Sequence, residues 1–306
     1  MKGSIKMKKF VILTDSCSDL SGELRERYGI EYVPMHFSCD DKEYVADLDY
    51  GEISQKDFYN LMRDGKRIIT AQANMEDYRK VFETYASEGV AVLSVSCSSA
   101  LSASVKASYV AKDEVLKAYP EAKIVCIDTL MSCAGLGLIA MKASMMRDAG
   151  AELDEVAEWI EENKLCFHQE ACVDSLTYLK RAGRVSAASA FFGGILSVKP
   201  IIISDAKGRN VAVEKVKGRR ASIKRAAERF AESYIKSDLP IIVAHADCDE
   251  DAELFKSEIV AKLAELGDSD TQVLTEVIGP IVGASVGPGT MGVYFFGKEV
   301  TDGKDD

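Results

Sequence analysis

Apolar residues never run long enough in this chain to cross a bilayer. No stretch approaches the ~18 consecutive apolar residues that a membrane-spanning helix needs. A secretory core is missing too. Residues 1–9 carry four lysines, but only Phe10–Leu13 is apolar before Thr14 and Asp15, against about 7–15 apolar residues in a signal segment. The sequence therefore reads as cytoplasmic. Histidine is scarce: His36, His168 and His245 are the only three, and they are not spaced as metal ligands. The eight cysteines are scattered with no C-x-x-C pair, which excludes metal knuckles and argues against a disulfide framework. No metal and no other cofactor is expected. Positive charge is also in deficit, with 38 Lys plus Arg against 49 Asp plus Glu and a net charge of −11. A protein that coats nucleic acid usually needs the opposite balance, so no nucleic-acid partner is expected.

What is present is a chain of 306 residues, 47% hydrophobic and 28% charged, with no internal repeat or low-complexity segment. That is the composition of one large or two ordinary globular domains. Short β-branched runs alternate with helical periods. Strands are expected at Phe10–Leu13, Val90–Val95 and Lys123–Ile127; helices at Asp19–Tyr28, Ser102–Tyr119 and Ser132–Asp148. Such alternation predicts parallel strands joined by right-handed crossovers. Between them lie a hairpin-like stretch, Ile30–Tyr50, and a helix at Ser54–Arg63, opened by Ser54 with Asp57 three residues on. An acidic helix at Ala151–Asn163 leads away from this half. Past Leu165 the texture changes: a hairpin around Asp205–Asn210, a helix at Arg219–Lys236, then strand, helix, strand and strand to Phe296. The expected fold is α/β in two domains, 1–165 with a mainly parallel sheet and 166–306 mixed.

Some familiar motifs are matched by letter only. Gly283-Ala-Ser285-Val-Gly287 fits the G-x-S-x-G elbow, but Pro288-Gly289 and a strand follow it, and no histidine comes after His245. Gly287–Gly292 fits G-x-G-x-x-G but precedes a strand. Gly135–Ala140 fits the looser form but sits inside a helix, where small residues serve packing. The glycine-rich stretch Gly279–Gly292 reads equally as a plain turn or as backbone approached by a ligand.

Ligands of open α/β sheets bind beyond the carboxyl ends of the strands. Hydroxyls gather there in the first half: Thr14 and Ser16, Thr70 after Ile68-Ile69, Ser98 and Ser99, and Thr129 beside Asp128. Each by itself reads as a helix cap. Together they read as a receptor for a carboxylate or phosphate. Binding rather than catalysis is expected, because no base stands beside a nucleophile. Met131, Met141, Met145 and Met146, with Phe191 and Phe192, read either as ordinary core or as a pocket for an apolar ligand body.

These residues resemble the DegV family, the fatty-acid-binding subunit of the bacterial fatty acid kinase system. Ile12-Leu-Thr-Asp-Ser16 with Asp19-Leu20 is similar to its T-D-S-x-x-D-L start, Ile69-Thr-Ala-Gln-Ala73 to T-T-S-Q-P, and Ser98-Ser-Ala-Leu-Ser102 to S-S-x-L-S. Asp128 with Ser132 and Gly135, Leu179–Val185, Lys199-Pro-Ile201 and Gly283–Gly289 match further family segments in order. The resemblance implies a long-chain fatty acid held between two domains, its carboxylate presented to a separate kinase that forms an acyl phosphate. It implies a binding protein, not an enzyme. Thr70 and the Ser98-Ser99 pair, Ser99 foremost, stand where the family binds the carboxylate, and Arg184 where it has an arginine. Ser285 replaces the family's histidine, Ala71 and Ala73 its usual Ser and Pro, and Ala100 a common Gly. The rival readings are a serine hydrolase of acyl esters and a binder of a phosphorylated small molecule. Finally, Lys215, Lys217, Arg219, Arg220, Lys224 and Arg225 cluster on an acidic chain. That cluster reads as a solvated helix start, or as a face for an acidic partner or transient contact with an anionic membrane surface.

Overall fold

A computed structural model describes residues 10–185 and 198–304. The strands are β1 (Phe10–Asp15), β2 (Ile30–Val33), β3 (Met35–Cys39), β4 (Lys42–Ala46), β5 (Ile68–Ala71), β6 (Ala91–Ser96), β7 (Ile124–Asp128), β8 (Phe167–Cys172), β9 (Val198–Ser204), β10 (Asn210–Lys217), β11 (Ile241–His245), β12 (Val273–Val277) and β13 (Met291–Phe296). The helices are α1 (Gly22–Tyr28), α2 (Gln55–Arg63), α3 (Met75–Ser87), α4 (Ser104–Ala118), α5 (Ala134–Asp148), α6 (Leu153–Asn163), α7 (Leu176–Ala182), α8 (Arg219–Ser233), α9 (Asp249–Glu265) and α10 (Pro280–Val286).

Three sheets result. β2-β1-β6-β7 is parallel throughout, as the alternating pattern requires. A six-stranded mixed sheet runs β10-β9-β8-β13-β11-β12, with only β11 and β12 paired in parallel. The strands of the first sheet all precede those of the mixed sheet, and the chain passes between them through a short 3₁₀ turn at Lys164–Cys166.

The third sheet bears out part of the hairpin-like reading of Ile30–Tyr50: β3 and β4 form an antiparallel hairpin, extended by β5. β2 departs from it and pairs with β1 in parallel. Thr70 is therefore not at the end of a parallel strand. It lies in β5, opposite Phe37.

Helix α5 is enclosed rather than amphipathic: eleven of its residues from Ala134 to Arg147 are buried, as befits a helix covered all round. It packs on β1 from one side and on β8 and β13 from the other. One apolar core runs through it, joining Ile12 and Leu93 to Ile242 and Tyr294. Gly135 and Gly137 permit this contact. A Cβ on Gly137 would stand 2.9 Å from the Ser18 carbonyl. Met131 and Met141 belong to this core, with Met145 and Met146 against it. Phe191 and Phe192 lie outside the described residues.

Candidate functional site: a polar corner in a mixed cavity

A cavity of about 580 Å³ opens where the first sheet, the small antiparallel sheet and α10 meet. Its walls include Met35, Leu101, Ile281, Val282 and Val286; its polar groups include Thr70, Ser99, Ser285 and Arg184. Sites for small ligands typically enclose roughly 300–1,000 Å³ of mainly apolar surface with a few convergent polar groups.

Local chemistry brings these groups together. Buried Ser104 accepts a hydrogen bond from the Ala73 amide at 3.1 Å, and its hydroxyl pairs with that of Ser102 at 2.9 Å. That tie draws the exit of β5 to the loop after β6, so Thr70 and Ser99 line the same cavity. The Ser99 amide donates to Asp128 at 3.1 Å, and its hydroxyl has no partner among the described residues. Asp15, at the end of β1, accepts from the Cys17 amide at 3.0 Å and the Cys97 amide at 2.9 Å. One carboxylate thus pins two loops that floor the cavity. Burial lifts the Asp15 pKa to about 6, against the lowering effect of the Cys97 and Cys17 amides.

Ser285 arrives from the other half of the chain. The phenols of Tyr50 and Tyr59 both donate to the Ile278 carbonyl, at 2.8 and 2.7 Å. They hold the entry to α10, where Pro280 occupies the first turn. The helix lies so close that a Cβ on Gly283 would sit 2.5 Å from the Tyr59 oxygen. The glycine-rich stretch is thus not a plain turn throughout, because Pro280–Val286 is helical, and Ile281, Val282, Ser285 and Val286 line the cavity. Ser285 lies near the end of that helix, with its hydroxyl 3.4 Å from the Ile281 carbonyl. Arg184 follows α7 and donates through Nε to the Leu101 carbonyl at 3.1 Å, and through its terminal nitrogen to the Ala182 carbonyl.

Most other hydroxyls at the strand ends serve the fold. Ser98 is fully buried and donates to the Gly208 carbonyl at 2.8 Å, so its hydroxyl is turned away from the cavity and the Ser98-Ser99 pair narrows to Ser99. Ser16 donates to the Ala46 carbonyl at 2.9 Å and Thr129 to that of Ser96 at 2.8 Å. Thr14 is buried within β1. No histidine is among the cavity's lining residues. His245 is buried, which lowers its pKa, and accepts from the Cys248 amide at 3.3 Å. Ser285 therefore has no imidazole base at hand. Among the described residues no group of three His, Cys, Asp or Glu is arranged to hold a metal ion.

A second, smaller cleft of about 150 Å³ shares Thr70, Arg184 and Ser285 with the cavity and adds Lys66, Arg67 and Arg181. The basic cluster of 215–225 is elsewhere and partly neutralised. Arg219 pairs with Asp251 at 2.8 Å, and Arg225 with Glu214 and Glu232, each at 2.9 Å.

A family model described as "Uncharacterised protein, DegV family" matches residues 9–298. The chain belongs to the DegV family. A DegV domain-containing protein of Clostridium perfringens is 36% identical over 292 residues, 95% of this chain and 98% of its own. One from Streptococcus pyogenes serotype M1 is 31% identical over 289 residues, 94% of this chain and 98% of its own. Among solved structures, a fatty-acid-binding DegV family protein of Thermus thermophilus superposes with a TM-score of 0.82 at 26% identity, covering 94% of this chain and 99% of its own. DegV of Bacillus subtilis, described as a fatty acid binding protein, gives 0.79 at 26% identity with the same coverage. The DegV fold accounts for both halves of this chain.

Proposed function

We infer that this DegV protein binds one long-chain fatty acid in the 580 Å³ cavity and presents the carboxylate to a separate fatty acid kinase. One observation carries the reading: Thr70, Ser99, Ser285 and Arg184, from four segments far apart in sequence, line one cavity together with the apolar side chains of Met35, Leu101, Ile281, Val282 and Val286. The hydroxyls of Thr70 and Ser99 donate to the carboxylate, Ser285 adds a third donor, and Arg184 balances its charge. The acyl chain gains roughly 0.8 kcal/mol for each CH₂ it removes from water. The described relatives that bind fatty acids support this ligand class. The chain has no role of its own in bond making here; it desolvates and orients. It works in the cytoplasm and exchanges fatty acid at an anionic membrane surface through Lys217, Arg220 and Lys224, which are exposed beside the paired Arg219 and Arg225.

The test is native mass spectrometry of the purified protein, followed by organic extraction, with no ligand added. One equivalent of a long-chain fatty acid per chain is expected. An empty protein that takes up neither oleate nor palmitate overturns the reading. Recovery of a phosphorylated small molecule, or ester turnover lost in Ser285→Ala, would install one of its rivals.

A further inference from the structure

Two thiols stand in the wall of the large cavity, and the binding of a fatty acid makes no use of them. Cys17 and Cys97 both line it, and both are free and almost wholly buried. Their closeness is built into the fold. β1 and β6 pair in parallel as far as Leu13 and Ser94, and neighbouring strands stand roughly 4.8 Å apart. Continuing that register, Ser16 and Cys97 leave the sheet as neighbours, with Cys17 next in the chain. Past the sheet, one carboxylate keeps the two segments together. Asp15 accepts from the Cys17 amide through Oδ1 at 3.0 Å and from the Cys97 amide through Oδ2 at 2.9 Å. The turn that carries Cys17 is fixed further by the Ser16 hydroxyl, which accepts from the Met35 amide at 2.8 Å.

The two side chains meet. A hydrogen bond with Cys97, and then burial, hold the Cys17 thiol well above its ordinary range. The same bond lowers the Cys97 pKa, but burial and the Asp15 charge leave it raised as well. Cys97 is thus the readier of the two to give up its proton. The other buried or half-buried thiols are turned elsewhere: Cys172 donates to the Ser222 carbonyl at 3.1 Å and Cys248 to that of Thr290 at 3.6 Å. A disulfide bridges Cα atoms roughly 4.4–6.8 Å apart, a range that includes residues side by side on neighbouring strands.

We propose that Cys17 and Cys97 form a reversible disulfide in the cavity wall, with hydrogen peroxide as the oxidant, and that this cross-link weakens the hold on the fatty acid. The Cys97 sulfur attacks one peroxide oxygen and the O–O bond breaks. The thiol proton goes to the departing hydroxide, leaving Cys97 as a sulfenic acid and one water. The Cys17 sulfur then attacks the sulfenic sulfur, the S–S bond forms, and the hydroxyl leaves with the Cys17 proton as a second water. Two thiols have then lost two electrons to the peroxide. The new bond draws the turn after β1 and the loop after β6 together, and Ser99, two residues beyond Cys97, moves with that loop. By linkage, a ligand that prefers the dithiol form opposes formation of the disulfide to the same degree. The disulfide stands apart from the fatty-acid reading; its effect on the ligand rests on that reading.

The experiment treats the full chain, stripped of ligand and reduced, with hydrogen peroxide. Remaining thiols are then blocked, and peptides are mapped by mass spectrometry without reductant. The expected product is a linked pair of peptides joined through Cys17 and Cys97, lighter by two hydrogens and separated again by dithiothreitol. Displacement of a fluorescent fatty acid should show an oleate affinity at least about fivefold lower in the oxidised protein, restored on reduction. Protein loaded with oleate beforehand should cross-link less. Cys97→Ala should give neither the linked peptides nor an affinity that responds to peroxide. Absence of the Cys17–Cys97 link, or irreversible sulfinic acid at these positions in its place, overturns the proposal. So does a peroxide response that persists in Cys97→Ala, which moves the chemistry to another cysteine. A reversible link with oleate affinity unchanged overturns its control of the site. Failure of the reduced protein to bind oleate, with the link still formed, instead overturns the fatty-acid reading and leaves the disulfide standing.

Discussion

The Ser98 hydroxyl donates to the Gly208 carbonyl at 2.8 Å, across 110 residues of sequence. It fastens the loop after β6 to the turn between β9 and β10. Gly208 stands at φ +71°, and a Cβ there would meet the Ser98 oxygen at 2.2 Å and the Leu130 Cα at 2.9 Å. Ser98→Ala leaves a buried carbonyl unsatisfied, at a cost of about 1–3 kcal/mol. Gly208→Ala adds backbone strain and a clash and costs more. Thermal melts of the two variants, with fatty acid content measured in parallel, check this. A Ser98→Ala protein with unaltered melting and a lost ligand would return Ser98 to the binding site.

Thr70→Ala and Ser99→Ala each delete a donor to the proposed carboxylate. Hydrogen bonds to charged groups contribute about 1.5–3 kcal/mol, so each variant weakens fatty acid binding by roughly ten- to a hundredfold. Ser99→Ala leaves melting of the empty protein nearly unchanged, because its hydroxyl has no partner among the described residues. Displacement of a fluorescent fatty acid gives the affinities. Unchanged affinity in the folded double variant would remove this corner as the carboxylate site.

Asp19 is fully buried against Gly279 and Cys133, and burial lifts its pKa to about 8, against the lowering effect of the Cys133 thiol and the Gly279 amide. The folded chain thus keeps a proton that the unfolded chain releases near pH 4. Between those values the native state binds more protons than the unfolded state, so stability falls as pH rises and levels off above about pH 8. Asp15, raised to about 6, adds to the decline at its acid end. Asp19→Asn keeps the shape without the titration. Its melting temperature is expected to fall less steeply than that of the wild type from pH 5 to 8. Parallel curves would show that Asp19 carries no such linkage.

Gly137→Ala tests the enclosure of α5. The added methyl would sit 2.7 Å from a Leu20 methyl and 2.9 Å from the Ser18 carbonyl. Overpacking of this kind costs about 1–3 kcal/mol. The loss should appear in denaturant melts, while Gly150→Ala, with open space around it but at φ +105°, suffers only backbone strain.

Much of the frame was legible in the residues alone. The β-branched run at Phe10–Leu13, the strands at Val90–Val95 and Lys123–Ile127 and the helices expected at Asp19–Tyr28, Ser102–Tyr119 and Ser132–Asp148 stand within a few residues of their expected bounds, because periods of 2 and 3.6 are written locally. Helix α3 was not anticipated, nor were α7 and α10. The latter two each span only seven residues, about two turns, and Gly283 and the flanking glycines made α10 look like loop.

The sequence by itself determined the class of the molecule: an acidic α/β chain with parallel crossovers, hydroxyls at its strand ends and no histidine placed to activate a serine. Tertiary structure alone decided which hydroxyls face the cavity. Ser98 and Ser99 are neighbours of one type, yet one is bonded to Gly208 and the other lines the cavity, since successive side chains in a loop point apart and only packing selects the buried one. It also decided that Thr70, Ser99, Arg184 and Ser285 share one site. Their convergence on one cavity depends on Ser104 holding the end of β5 and on Tyr50 and Tyr59 holding Ile278, hydrogen bonds that span up to 228 residues and leave no periodic trace in the chain.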